Sequence, residues 1–293
     1  MKILLADAFD ASLPDALKKY GEVTSDSAQL ADADIVLIRS KTKATKEYID
    51  QAKKMKMIIR GGVGLDNVDS AYCKEKGIIV KNTPEASSVA VAELAFAMMI
   101  AVPNRLIEAH NSMKEGKWLK KELKRTELMG KTLGLIGCGR IGAEVAKRAL
   151  AFGMKVIGYD PVVTKSEYIQ LQPSLDAMLP LCDYISLHTP VNDQTKGMIN
   201  KNTIAKMKKG VVFINTGRGK CIIEQDVVDA LTSGQIATYA TDVWYSDPPP
   251  ADCPLLKAPN MLMAPHIGAS TTENLLRIGI QIDQIIGEYV KGK

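Results

Sequence analysis

Short apolar runs alternate along the chain with segments whose apolar residues recur at helical spacing. That alternation predicts parallel strands joined by crossover helices. In the first part of the chain the predicted strands are Lys2–Asp7, Ile35–Ser40, Met55–Gly62 and Gly77–Thr83. In the second part they are Thr132–Gly137, Lys155–Tyr159, Tyr184–His188, Val211–Asn215, Thr238–Val243 and Met261–Ala264. Between the two series, Ser88–Met113 reads as one helix or two abutting ones, with Pro103 as the expected break because proline lacks a backbone N–H. A last helix is predicted over Thr271–Val290. Six strands from Thr132 onward make a complete doubly wound parallel sheet of Rossmann type, inserted into a smaller flavodoxin-like α/β domain. The expected division is 1–98 with 270–293 for the substrate domain and 99–269 for the dinucleotide-binding domain. The cleft between them is the expected ligand site.

A chain of 293 residues has room for two such domains. The net charge of +5 is spread along the chain and is densest around Lys114–Arg125. No basic stripe interleaved with aromatics appears, so the balance suits a small anionic ligand and argues against nucleic acid. The longest apolar run, Leu94–Pro103, is too short for a membrane span and follows Glu93. Met1–Asp7 reads as a strand, with none of the features of a signal peptide. The five cysteines (Cys73, Cys138, Cys182, Cys221 and Cys253) lie far apart, which fits free thiols in the cytoplasm better than disulfides or a metal site.

Gly137-Cys138-Gly139-Arg140-Ile141-Gly142 carries G-x-G-x-x-G between a predicted strand and a predicted helix, Ile141–Phe152. Glycines at Gly137, Gly139 and Gly142 permit a tight turn and a close approach of pyrophosphate to a helix amino terminus. A second strand ends at Asp160, 18 positions beyond Gly142, where a carboxylate accepts ribose hydroxyls and repels a 2′-phosphate. The implied cofactor is NAD rather than NADP.

Hydride transfer between such a cofactor and the carbon of an alcohol also calls for a proton carrier and a partner for that carrier, and an anionic substrate calls for a cation. Of three histidines, His110 sits in a helical pattern and is expected on the surface. His188 and His266 each end an apolar strand, where open α/β sheets present ligand-facing groups.

From these residues onward the chain resembles the D-isomer-specific 2-hydroxyacid dehydrogenases over nearly its whole length. After the glycine motif come Leu187-His188-Thr189-Pro190, Phe213–Gly219, Thr241-Asp242-Val243-Trp244 with Asp247-Pro248-Pro249, and Ala264-Pro265-His266-Ile267-Gly268. The resemblance implies that Arg218 orients the substrate carboxylate, that His266 is the acid/base, and that Asp247 pairs with it. It further implies cofactor contacts from Val63, Arg140, Ile141, Thr189 and Thr195, and from Thr216, Gly217, Asp242 and Gly268. Two positions depart from the family habit. Asp247 stands where glutamate is usual and loses about 1.5 Å of reach, so its contact to His266 is expected to loosen unless the backbone compensates. Ser87 stands where many phosphoglycerate-acting members carry asparagine.

Consecutive glycines in Arg60-Gly61-Gly62-Val63-Gly64 follow a strand and can array backbone N–H groups around a carboxylate. This segment, Ile38-Arg39-Ser40-Lys41-Thr42-Lys43 and Gly268-Ala269-Ser270-Thr271-Thr272 resemble the phosphoglycerate dehydrogenase branch, which feeds serine biosynthesis. By that resemblance Arg39 and Arg60 lie near a substrate phosphate, Gly62, Val63, Gly64 and Ser87 line the substrate, and Lys120 reaches in from a neighbouring subunit. A homodimer joined through the dinucleotide-binding domains is expected, with Ser88–Met113 at the interface through the apolar face of Val89, Ala92, Ala95, Phe96 and Met99; a core helix within the chain is the alternative reading of that face. A carboxy-terminal regulatory domain, and feedback by serine through it, is not expected. Other readings are a hydroxypyruvate, glyoxylate or D-lactate reductase on the same scaffold, and an NAD-sensing binding protein like the C-terminal binding protein corepressors.

Overall fold

The computed structural model describes residues 1–292. The chain forms two compact units, Met1–Ala90 with Ala269–Lys293, and Val91–Gly268.

The first unit holds a five-stranded parallel sheet: β1 Lys2–Leu5, β2 Glu22–Thr24, β3 Ile35–Ile38, β4 Met57–Arg60 and β5 Ile79–Asn82, in the order β2-β1-β3-β4-β5. This is the flavodoxin-like order expected. The inner strands are apolar without interruption because both faces are covered. Ile3, Leu5, Ile35, Leu37 and Ile59 face the helix Thr272–Lys291 through Ile278, Ile282 and Ile286. Leu4, Val36, Ile38 and Ile58 face the other way, toward Ile49 and Cys73. Thr271 opens the long helix by accepting the Asn274 N–H on Oγ1 at 3.1 Å. Edge strand β2 was not expected, since three residues are too few to show a period.

The second unit holds seven parallel strands: β6 Thr132–Ile136, β7 Lys155–Tyr159, β8 Gln170–Leu171, β9 Tyr184–Leu187, β10 Val211–Asn215, β11 Ile236–Thr241 and β12 Met261–Met263. Their order is β12-β11-β10-β9-β6-β7-β8. The doubly wound arrangement stands as expected, but with seven strands rather than six: the two-residue β8 adds an edge. The order reverses between β6 and β9, the switch point beside which such sheets bind ligands.

The segment expected to break at Pro103 is two helices, Ser88–Asn104 and Leu106–Lys114, bent by 63°. The break falls at Arg105, whose φ is +51°, while Pro103 is held in the last turn of the first helix and its carbonyl accepts the Thr126 N–H at 3.2 Å. The expected interface face is also corrected. Ala92, Ala95, Phe96 and Met99 are buried against Val145, Ala146 and Ala149 in the unit's own core, and Val89 alone of the five is exposed. Small alanines on Ser88–Asn104 and on the helix Arg140–Ala151 allow that close approach, so the apolar face is used up within the chain. Among the described residues no single helix is long and apolar enough to cross a membrane.

Candidate active site

The glycine turn follows β6 directly. Gly137 has φ +93°, and a Cβ there would lie 2.8 Å from the His188 carbonyl oxygen. A Cβ at Gly142 would lie 2.4 Å from the Gly137 oxygen, so the helix Arg140–Ala151 sits hard against the turn. Gly139 is the N-cap of that helix, contributes no side-chain cap, and faces open space where a Cβ would stand. A helix amino end left open in this way, with Arg140 and Ile141 in its first turn, fits a pyrophosphate. Asp160 is half-buried after β7. Its Oδ2 accepts the Cys138 N–H at 2.9 Å, and its Oδ1 accepts from Val162 and Val163 at 2.8 and 3.1 Å. The carboxylate thereby shapes the turn and keeps lone-pair capacity for a ribose hydroxyl. These residues fit a dinucleotide.

Other expected cofactor contacts gather at the carboxyl ends of β9 and β10. A Cβ at Gly217 would lie 2.8 Å from the Leu187 oxygen. Thr189 Oγ1 is 3.7 Å from Cys221 Sγ. Thr195 Oγ1 donates to the Pro190 carbonyl at 2.6 Å and accepts the Asn192 N–H at 2.9 Å, closing its own loop.

His266 follows β12 with φ +57°, a left-handed conformation uncommon for a residue with a side chain. The neighbouring backbone holds it there: Asp242, 2% exposed, accepts the Ile267 N–H at 2.8 Å and the Gly268 N–H at 2.7 Å, one on each oxygen. Burial raises the Asp242 carboxyl above its usual range, and those two N–H donors oppose the rise. Asp247 Oδ2 lies 2.5 Å from His266 Nδ1. The backbone therefore makes up the length lost relative to glutamate, and the expected loosening is absent.

The segment after Arg218 is packed tightly as well. A Cβ at Gly219 would lie 2.1 Å from the Trp244 carbonyl carbon, and Trp244 Nε1 donates to the Ala264 carbonyl at 3.1 Å. Trp244 thus braces together the stretches carrying Arg218, Asp247 and His266. Arg218 itself is half-buried, with Nη1 donating to the Gly217 carbonyl at 2.8 Å. Asn215, fully buried, accepts the Gly217 N–H at 3.1 Å and donates to the Arg218 carbonyl at 3.2 Å. Neither Trp244 nor Asn215 was marked as functional from sequence, although each sits inside a family motif.

His188 is half-buried, and the protein around its ring pushes its pKa from 6.5 down to about 4. Between those values the unfolded chain binds a proton that the folded chain refuses. Stability from this group is therefore complete above about pH 6.5 and is lost as pH falls toward 4. The loss is at most roughly 3 kcal/mol, less where water reaches the ring. Thermal melts from pH 7 to pH 4 should show a shallower acid decline for His188→Gln than for the wild type. Parallel declines would contradict it.

In the first unit, Arg39 follows β3 and Arg60 ends β4, with Ile38 and Arg60 in register. Gly61 and Gly62 lie between them. A Cβ on Gly61 would meet the Arg39 stem at 3.4 Å, and one on Gly62, whose φ is +144°, would overlap Arg60 Nη1. The Arg39 guanidinium donates to the carbonyls of Ala8 and Ala269, each at 3.3 Å, and its buried Nε has no hydrogen-bond partner. Burial lowers its pKa against the opposing charge of Asp7. Val63, exposed, accepts from Asn82 Nδ2 at 2.6 Å, and Gly62 accepts the Thr83 N–H at 3.1 Å, which fixes the backbone leading to Gly64. Ser87 is turned inward, 1% exposed, and accepts from Asn274 Nδ2 at 3.2 Å. In the second unit Lys120 and His110 are exposed.

Residues 96–268 match the model of the D-isomer specific 2-hydroxyacid dehydrogenase NAD-binding domain. The chain is 46% identical over 274 residues to a hydroxypyruvate reductase of Thermotoga maritima, covering 90% of each. It is 40% identical over 305 residues to the D-3-phosphoglycerate dehydrogenase of Methanocaldococcus jannaschii, covering all of this chain and 58% of that one. It therefore spans little more than half the length of that second relative. The D-lactate dehydrogenase of Aquifex aeolicus, solved with NAD and lactic acid, superposes with a TM-score of 0.89 at 30% identity, over 100% of this chain and 96% of that one. By the family model and these identities, the chain belongs to the D-isomer-specific 2-hydroxyacid dehydrogenases and is an NAD-dependent enzyme of that family.

Proposed function

We propose that the enzyme oxidises 3-phosphoglycerate to 3-phosphohydroxypyruvate, the first step of serine biosynthesis, in the cytoplasm. The observation carrying this reading is the pair of guanidinium side chains at the ends of adjacent strands, packed around Gly61 and Gly62. Planar forked donors suit a phosphate. Arg218 holds the substrate carboxylate. His266 Nε2 takes the proton of the C2 hydroxyl as the C2–H bond breaks. Asp247 accepts at Nδ1, which fixes the tautomer leaving Nε2 unprotonated and then stabilises the imidazolium. The nicotinamide supplies the hydride acceptor.

Hydroxypyruvate reduction is the second reading. It is favoured by the Thermotoga relative and by the Arg39 guanidinium's bonds to Ala8 and Ala269, which give it a structural use without phosphate. Arg39→Ala separates the two. A charge-assisted contact is worth about 1.5–3 kcal/mol, so KM for 3-phosphoglycerate should rise roughly 10- to 150-fold while KM for glyoxylate changes little. Equal losses on both would mean that Arg39 supports the fold, and would favour hydroxypyruvate.

The enzyme is a homodimer in this reading, joined through the second unit, with Lys120 of the partner subunit adding charge at the substrate site. With the Ala92–Met99 face buried, support comes from the exposed Leu106, Ile107, Met113 and Trp118. A cavity of about 580 Å³ at the amino ends of the strands is lined by Leu106, Ile107, Tyr184, Lys208 and Met261. Light scattering at micromolar concentration should return twice the chain mass, and a monomer mass would refute the dimer.

A further inference from the structure

The proton chemistry leaves His188 without a task, yet its surroundings are specific. Its ring Nε2 is 2.8 Å from Ser186 Oγ, and its Nδ1 is 3.5 Å from Thr216 Oγ1. Ser186 is fully buried and stands two residues earlier on β9, hence on the same face. A neutral imidazole offers one donor and one acceptor, and each hydroxyl can take the complementary part.

The backbone of the same residue is equally committed. The His188 N–H donates to the Ile136 carbonyl at 2.7 Å, immediately before the glycine turn. Its carbonyl oxygen occupies the space beside Gly137, and the Leu187 oxygen occupies the space beside Gly217. The two glycine turns are therefore packed against the two successive peptides that flank His188 at the end of β9.

We infer that His188 is a positioning residue for NAD, holding the Gly137 turn and the Thr216–Gly217 turn in register through Ser186 and Thr216. Loss of the ring leaves the Ser186 and Thr216 hydroxyls without their link, so the end of β9 and the Thr216–Gly217 turn are less firmly held together and the dinucleotide binds less well. The chemical step is spared, because His266 is held by Asp242, Asp247 and Trp244 and uses no contact from His188. The inference does not depend on which hydroxy acid is turned over.

The test is the NAD dissociation constant by calorimetry, together with turnover at saturating NAD, for His188→Leu, His188→Gln and Ser186→Ala. His188→Leu should weaken NAD binding about tenfold, with saturated turnover within about threefold of the wild type. His188→Gln keeps a neutral donor and acceptor and should restore most of the affinity. Ser186→Ala, which removes only a hydroxyl, should weaken NAD binding about threefold and remains informative if His188→Leu fails to fold. Unchanged NAD affinity in Ser186→Ala and in whichever His188 variants fold would overturn the inference. So would a collapse of saturated turnover with NAD affinity intact, which would place His188 in the chemistry.

Discussion

His266→Ala lowers turnover about 10²- to 10⁴-fold and leaves NAD affinity within about twofold, the range for removing a positioned general acid/base. The expectation rests on geometry. Asp242 anchors the two residues after His266, and Asp247 fixes its Nδ1, so the ring is held in one orientation. The left-handed backbone at His266 is the kind of strain that persists where surrounding contacts over-determine it. His188→Ala should behave in the opposite way, with weaker NAD binding and near-normal saturated turnover. If His188→Ala abolished turnover and His266→Ala did not, the two histidines would have been assigned the wrong way round.

Arg218→Ala lowers kcat/KM for the hydroxy acid about 10²- to 10³-fold, since two charge-assisted bonds to a carboxylate are worth roughly 3–4 kcal/mol together. NAD affinity should hold, because Asn215 still ties the turn together through the Gly217 N–H and the Arg218 carbonyl when the guanidinium's bond to the Gly217 carbonyl is lost. Arg218→Lys should recover only part of the loss: an ammonium restores the charge but not the planar fork. Loss below tenfold in the alanine variant, measured as initial rates, would remove Arg218 from the carboxylate site.

Much of this was legible in the residues. The long inner strands announced themselves because both faces of a parallel sheet are covered, and the glycine turn because strand, spacing and Asp160 agree. Short edge strands were not, since Glu22–Thr24 and Gln170–Leu171 carry too few residues for any period. The apolar face of Ser88–Asn104 could be read as core or as interface, and only the alanines opposite, Ala146 and Ala149, decide for core. Helix breaks follow backbone conformation, and nothing in Pro103 alone marks Arg105 as the bend. Side chains that act through backbone groups, as Asp242 and Asn215 do, have no spacing signature, because their partners are set by tertiary packing. Asp247 shows the same limit from the other side: its shorter reach is legible, and the backbone placement that still brings it to His266 is not.

The most direct measurement is the initial rise in absorbance at 340 nm with NAD and, in turn, 3-phosphoglycerate, D-glycerate, L-glycerate and D-lactate. Oxidation of 3-phosphoglycerate should exceed that of D-glycerate by at least about tenfold in kcat/KM, as expected from one charge-assisted phosphate contact, with no rate on L-glycerate. A higher kcat/KM on D-glycerate than on 3-phosphoglycerate would contradict the assignment and make hydroxypyruvate the substrate of the reverse reaction.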